Sequence, residues 1–148
     1  MNLKDKINLD LKDAMKSGDK IRLSVVRSIR ALILEFEKSG AAKELTPEDE
    51  LKMLTTAAKK RKDSIEQFRN AGRTELADTE EAELKILMDY LPKQMDEEEI
   101  KNEIIRLANE IGAKSKADFP KLMPLVMKEL KGKAEGKIVK SIVENILV

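Results

Sequence analysis

The sequence predicts an all-α protein of about seven helices. Apolar side chains recur every three or four residues along most of the 148 residues, helix-forming residues dominate, and Gly and Pro separate the periodic segments. Apolar residues make up 41% of the chain and charged residues 39%, which suits short helices that each bury one stripe. We expect an N-terminal helical domain of about four helices, residues 1–92, and a C-terminal three-helix bundle, residues 93–148. Pro92 marks the predicted boundary because the residue before a proline disfavours helix.

The first two helices are predicted from apolar positions at helical spacing. The first helix ends near Gly18 and the second near Lys38, and residues 39–42, Ser-Gly-Ala-Ala, are predicted to form a loop. The predicted buried positions are Leu3, Ile7, Leu11 and Met15 on the first helix, and Ile21, Val25, Ile29, Leu32 and Phe36 on the second.

The third helix begins at a strong capping signal. Thr46 can cap it, Pro47 suits its first position, and the acids that follow complement the helix dipole. Gly72 ends it, and the fourth helix is predicted to run to Leu91. The predicted buried positions are Leu51, Leu54, Ala58, Ile65 and Phe68 on the third helix, and Ala77, Leu84, Leu87, Met88 and Leu91 on the fourth.

Three more helices are predicted after Pro92. We interpret the acidic run Asp96–Glu99 as the cap and first turn of the fifth helix rather than as a metal site. Gly112 ends that helix, the sixth begins near Asp118, and the last follows Gly136.

The composition excludes several classes of active site. The chain has no Cys and no His, which excludes thiol nucleophiles and every triad or metal centre that uses imidazole. We therefore expect no catalytic residues, no metal and no cofactor. No apolar stretch approaches the roughly 20 residues that span a bilayer, so we expect no membrane partner. Because the N-terminus lacks the apolar segment of a signal peptide, we predict a cytoplasmic protein.

Charges occur in blocks although the net charge is only +1. Residues 52–73 hold seven basic and two acidic residues, and residues 74–92 hold one basic and six acidic. Residues 113–148 are basic again, with eight against four. Oppositely charged helices that pack together would explain these blocks, and so would a basic face that binds a polyanion.

Two groups of charged residues interrupt apolar stripes. Arg61 and Glu80 fall among apolar positions of adjacent helices, which predicts an ion pair between them, with Glu83 as the second choice. The alternative is that Arg61 binds a ligand. Arg27 and Arg30 share a mixed face of the second helix, which either packs against a neighbouring helix or recognises a phosphate or carboxylate.

The C-terminal segment offers a candidate anion site. A glycine-containing loop at residues 131–137 carries three lysines and precedes a helix N-terminus, where backbone amides favour phosphate. A plain turn between two helices is the alternative, and the spacing is not that of a P-loop. The candidate RNA-binding residues are Lys121, Lys128, Lys131, Lys133, Lys137 and Lys140.

Several motifs, taken in order, resemble the GatB/YqeY family and YqeY-type proteins in particular. The motifs are Asp10–Lys16, Leu23–Arg27, Arg61–Phe68, Ala71–Arg73, Glu80–Leu84, Tyr90–Gln94 and Gly132–Val139.

The resemblance implies two domains and kinship with the tail of the B subunit of the glutamine-dependent tRNA amidotransferase, which helps to hold tRNA. It thus implies a non-catalytic module that binds tRNA or an RNA–protein complex, with no DNA partner. A carbon–nitrogen ligase label would be inherited from the relative, because no motif of its active sites occurs here. The alternatives are a protein–protein adaptor and an accessory subunit that stimulates an amidotransferase. Pro120 and Pro124 stand where the family often has glycines, which would block a close approach of RNA backbone there.

Overall fold

The computed structural model describes residues 1–40 and 44–148. This part of the chain forms seven α-helices and one short 3-10 helix and contains no β-strand, which confirms the all-α prediction. It divides into two compact units, Met1–Leu91 and Pro92–Val148.

The N-terminal unit holds four helices: α1 (Leu3–Ser17), α2 (Lys20–Lys38), α3 (Pro47–Asn70) and α4 (Thr74–Met88). Helix α4 packs against both α3 and α2, and α1 packs against α2. Helix α3 begins with the predicted cap, because Thr46 and Asp49 each accept a hydrogen bond from the backbone amide of the other.

The core of the N-terminal unit is aliphatic. Its buried cluster consists of Leu3, Ile7, Val25, Val26, Ile29, Ile33, Leu54, Ala58 and Leu87. Two predicted core residues are exposed, since Met15 is 60% exposed and Ile21 is 40% exposed. Five more are half-buried and lie outside the cluster: Leu32, Phe36, Leu51, Ile65 and Phe68. Met15 and Ile21 flank the turn at Gly18, at one end of the α1–α2 pair, where fewer side chains are available to cover them.

The C-terminal unit holds α5 (Glu97–Ile111), the 3-10 turn Lys116–Asp118, α6 (Phe119–Glu129) and α7 (Gly136–Ile146). Each of the three α-helices packs against the other two. Their buried residues are Ile100, Ile104, Leu107, Ala108, Leu122, Val126, Leu130, Val139, Val143 and Leu147.

The 3-10 turn before α6 was not predicted. The Asp118 carboxylate accepts hydrogen bonds from the amides of Lys114 and Ser115, at 2.8 and 3.2 Å. These bonds hold the pKa of Asp118 below its ordinary value. The turn therefore forms through a side-chain capping interaction rather than through an apolar pattern.

Pro124 lies inside α6 without ending it. Its missing N–H would have paired with the carbonyl of Pro120, one turn earlier. Pro120 is exposed, so water can satisfy that carbonyl, and the buried residues Leu122 and Val126 keep the helix packed on the core.

One predicted boundary differs in detail. Helix α4 ends at Met88 rather than Leu91, and the following residues continue as a turn in which the Tyr90 amide donates to the Leu87 carbonyl at 3.0 Å. Of the predicted loop at residues 39–42, Gly40 has a φ of 79°, whereas Ala41 and Ala42 lie outside the described residues.

None of the described helices has both the length and the apolar character needed to cross a membrane.

Candidate functional site

Arg61 joins three helices of the N-terminal unit. Its Nη1 atom donates to Glu80 Oε2 at 3.2 Å and also donates to Glu83. Its Nη2 atom donates to Ser28 Oγ on α2 at 3.3 Å. The Glu83 carboxylate in turn accepts from Ser24 Oγ at 3.4 Å. The predicted ion-pair residues thus lie together, with both carboxylates engaged at once.

The Arg61 cluster is largely withdrawn from solvent. The side chains of Arg61 and Glu83 are 15% and 14% exposed, and that of Glu80 is 27% exposed. One guanidinium faces two carboxylates, so the cluster carries a net charge of −1. A charged group with so little access to water needs partners of opposite charge. This need explains why Arg61 on α3 lies opposite Glu80 and Glu83 on α4.

An open groove lies beside Arg61, between α2 and α3. It has a volume of about 580 Å³, within the range of ligand-binding cavities. We call it the α2–α3 groove. Its lining residues are Ser28, Leu32 and Phe36 from α2, Glu80 from α4, and Asp49, Lys52, Met53, Thr56, Ala57, Lys60, Arg61 and Ser64 from α3. The sequence pattern did not reveal it, because a groove depends on how far two helices diverge.

Arg27 and Arg30 lie on the exposed face of α2. The interpretation that they pack against a neighbouring helix is therefore wrong. Helix α2 buries the face that carries Val25, Val26 and Ile29. Arg27 and Arg30 lie on other sides of the helix and are exposed to solvent.

Tyr90 forms a second polar contact of the N-terminal unit. Its hydroxyl donates to Asp10 on α1, and Lys6 Nζ lies 3.3 Å from the same carboxylate and 5.4 Å from the centre of the ring. Burial raises the pKa of Tyr90 above its ordinary value, and the hydrogen bond to Asp10 raises it further. The contact ties the end of this unit to its first helix. It joins residues 80 positions apart, so no local pattern could have predicted it.

All six candidate RNA-binding lysines of the C-terminal unit are exposed. Lys121 and Lys128 lie on α6, and Lys137 and Lys140 lie on α7. Lys131 and Lys133 belong to the α6–α7 loop, which we define as residues 130–135.

Two hydrogen bonds attach the α6–α7 loop to the segment that precedes α5. The Met95 amide donates to the Lys133 carbonyl at 2.9 Å, and Gln94 Nε2 donates to the Gly132 carbonyl at 2.7 Å. Gly132 has a φ of 77°, a left-handed conformation that glycine adopts without strain. Lys131 and Lys133 therefore extend from a loop whose backbone these two hydrogen bonds hold in place.

A second cavity, of about 690 Å³, lies where α6 begins and α7 ends. Its lining residues are Lys116, Phe119, Pro120, Lys140, Glu144, Asn145 and Leu147. Lys140 is the single candidate lysine in this lining, so the cavity and the α6–α7 loop are separate features.

The acidic run before α5 acts as a helix start. Asp96 Oδ1 accepts a hydrogen bond from the Glu99 amide at 2.8 Å. Across the described residues, no group of three or more acidic side chains is arranged to hold a metal ion.

Curated proteins from fungi are similar to this chain. A Pyrenophora tritici-repentis protein named "Altered inheritance of mitochondria protein 41, mitochondrial" is 34% identical over 132 residues, which cover 87% of this chain and 71% of that protein. The protein of that name from Clavispora lusitaniae is 34% identical over 110 residues, 72% of this chain and 63% of that protein. An uncharacterized Schizosaccharomyces pombe protein is 37% identical over 94 residues, 62% of this chain and 74% of that protein.

The names of these relatives overturn the prediction of a cytoplasmic protein, because two of them are named as mitochondrial. That prediction rested on the lack of an apolar signal segment. Mitochondrial targeting segments are amphipathic and Arg-rich instead, so the lack of an apolar segment does not distinguish the two compartments.

The similarity to a family model spans almost the whole chain. The model describes a YqeY-like protein and matches residues 4–147, which include all of α2 to α7 and all of α1 except Leu3. The Arg61 cluster and the lysines of the α6–α7 loop both lie within this range. The motifs around Arg61, Tyr90 and Gly132 all fall within this match. The chain therefore belongs to the YqeY-like protein family.

Proposed function

We propose that this protein is a non-catalytic helical module that binds tRNA or a tRNA-handling complex through its C-terminal unit. The observation that carries the proposal is the attachment of the α6–α7 loop by Gln94 and Met95. This attachment presents Lys131 and Lys133 from a set backbone, next to Lys137 in the first turn of α7.

The chemistry of these residues fits a phosphate backbone. Lysine ammonium groups neutralise phosphates, and the amides at the N-terminus of a helix add donors and a favourable dipole. Aromatic residues make up 3% of the chain, so stacking of successive bases is a poor fit. We therefore propose recognition of backbone and shape rather than of base sequence.

The resemblance to the amidotransferase tail supports a role next to tRNA rather than a reaction. The proposal includes two domains that fold separately, four helices before Pro92 and a three-helix bundle after it. It includes no ligase activity of the chain's own. Because relatives carry mitochondrial names, we propose the mitochondrion as the compartment.

A tRNA titration at low and at physiological salt tests the proposal. We expect weak binding that falls steeply with salt, because phosphate contacts release counterions. Replacing Lys131, Lys133 and Lys137 together with Gln should weaken binding equally for unrelated tRNA sequences and flatten the salt dependence.

The matched control replaces three exposed lysines of the N-terminal unit, Lys12, Lys16 and Lys20, with Gln. It changes the net charge by the same amount and should leave binding nearly unchanged. Undetectable binding at low salt would reject the proposal, and equal losses in the two triple variants would reject this site.

A further inference from the structure

The α2–α3 groove combines apolar walls with two lysines that form no ion pair within the described residues. Leu32 and Phe36 on one side, and Met53 and Ala57 on the other, are half-buried. Leu32 and Phe36 do not belong to the core cluster of the described residues. Their apolar surface therefore faces a space that the rest of the described unit does not fill.

The groove offers positive charge to whatever enters it. Both carboxylates in its lining already have partners: Asp49 accepts from the amide and hydroxyl of Thr46, and Glu80 accepts from Arg61. Lys52 and Lys60 are exposed, and neither forms an ion pair with any described residue. The lining holds Lys52, Lys60 and Arg61 against Asp49 and Glu80, so its charged side chains sum to +1.

The groove is long rather than compact. On α3 its lining runs from Asp49 to Ser64, which at 1.5 Å per residue is about 22 Å. On α2 it runs from Ser28 to Phe36, or about 12 Å. The lining positions on both helices recur every three or four residues, so two helical faces form its sides.

The helix packing leaves room for one more helix. Helix α4 packs against both α2 and α3 and supplies Glu80 at one end of the groove. An amphipathic helix laid between α2 and α3 would pack its apolar stripe on Leu32, Phe36 and Met53. Its acidic side chains would pair with Lys52 and Lys60, which lie two helical turns apart.

We propose that the α2–α3 groove is a docking site for an acidic amphipathic helix of a partner protein. Helix-in-groove recognition uses this combination of an apolar cleft and flanking charges. RNA is a poorer fit, because its phosphates would not cover the apolar walls. The proposed site lies in the N-terminal unit and shares no residue with the tRNA site proposed above.

The test uses the whole protein and two synthetic helical peptides of about 15 residues, which match the length of the groove. Both carry leucines at helical spacing; one has two glutamates two turns apart, and its twin has lysines at those positions. Binding is measured by titration, and its location is measured from amide chemical shifts. We expect the acidic peptide to bind more tightly and to shift amides of α2 and α3.

A charge-reversed variant makes the test specific. Lys52→Glu with Lys60→Glu should weaken binding of the acidic peptide at least about tenfold, since like charges across an interface repel, and should strengthen binding of the basic twin. Lys12→Glu with Lys16→Glu on α1 changes the net charge equally and should alter neither affinity. All four lysines are exposed, so both variants should fold, and tRNA titration should not distinguish the groove variant from its control.

Other outcomes would overturn the proposal. It fails if neither peptide binds, if both peptides bind equally, or if the shifted amides lie outside α2 and α3. Self-association that the Lys52 and Lys60 changes abolish would assign the groove to a second copy of the chain. Displacement of the acidic peptide by tRNA, with shifts on the same groove amides, would assign the groove to RNA.

Discussion

Arg61 stabilises the N-terminal unit because its guanidinium has partners on two neighbouring helices. Without it, Glu80 and Glu83 would face each other with little access to water and no cation. Removing one partner of a fully buried pair costs about 3–5 kcal/mol, and the 15% exposure of Arg61 places the expected cost near the lower end. We expect Arg61→Ala to lower the free energy of unfolding by about 3 kcal/mol, as measured by urea denaturation.

Arg69→Ala is the matched control for this prediction. Arg69 also links α3 to α4, through Asp78 and Glu81, but its side chain is 44% exposed. Exposed ion pairs contribute at most about 1 kcal/mol, so this variant should change the urea midpoint little. Adding Glu83→Gln to Arg61→Ala should restore part of the loss. Equal urea midpoints for Arg61→Ala and Arg69→Ala would show that burial of the Arg61 cluster does not increase its contribution to stability.

Tyr90 permits a direct spectroscopic test, because it is the only tyrosine and the chain has no tryptophan. Its pKa is raised above the ordinary value of about 10, first by burial and then by Asp10. Ultraviolet absorbance of the folded protein should therefore show no tyrosinate at pH 10. Asp10→Ala should lower the pKa of Tyr90 part of the way, because it leaves the burial in place.

The same shift affects stability at high pH. The folded state favours the neutral phenol over the tyrosinate. The resulting stabilisation of the fold is therefore fully present below pH about 10, the ordinary pKa of tyrosine in the unfolded chain. The contribution is lost as the pH rises through the higher pKa of the folded state. A tyrosinate signal with an ordinary midpoint in the folded protein would contradict the contact with Asp10.

At the scale of single elements, α1, α2, α3 and α5 each begin where a side chain accepts a hydrogen bond from a free backbone amide. Asp96 caps α5 by accepting from the Glu99 amide, and Glu97 to Glu99 complete an acidic first turn. Removal of an N-cap costs about 1 kcal/mol. We expect Asp96→Ala to lower the thermal midpoint of the C-terminal unit, whereas Asp96→Asn should retain most of the stability.

Lys101→Ala, an exposed change on the same helix, serves as the control for the cap. Circular dichroism of the variants would measure the difference. If Asp96→Ala and Lys101→Ala have the same thermal midpoint, the cap does not stabilise α5, and the acidic run has some other role.

For the whole molecule, the division at Pro92 has a thermodynamic consequence. Each unit has its own buried aliphatic cluster. We expect residues 1–91 and 92–148, expressed separately, each to unfold cooperatively, with the C-terminal piece less stable because ~60 residues bury a smaller fraction of their surface. A C-terminal piece without native-like amide chemical shifts would contradict this expectation.

Most helices could be predicted from the sequence because the signals for a helix are local. The 3.6-residue periodicity, Thr46 and Asp96 as caps, and Gly18 and Gly112 as stops all act within one or two turns. The 3-10 turn at Lys116–Asp118 was missed because it depends on one side chain bonded to two amides. Arg61 and Glu80 were found because both break an apolar stripe.

Other features depend on the positions of residues far apart in the sequence. The Tyr90–Asp10 contact joins positions 80 apart, and the Gln94 bond to Gly132 joins positions 38 apart. The α2–α3 groove is lined by residues of α2, α3 and α4, so it depends on how these three helices pack. The spacing of apolar residues along the sequence indicates which face of a helix is apolar. Only the packing of the helices determines whether another helix covers that face.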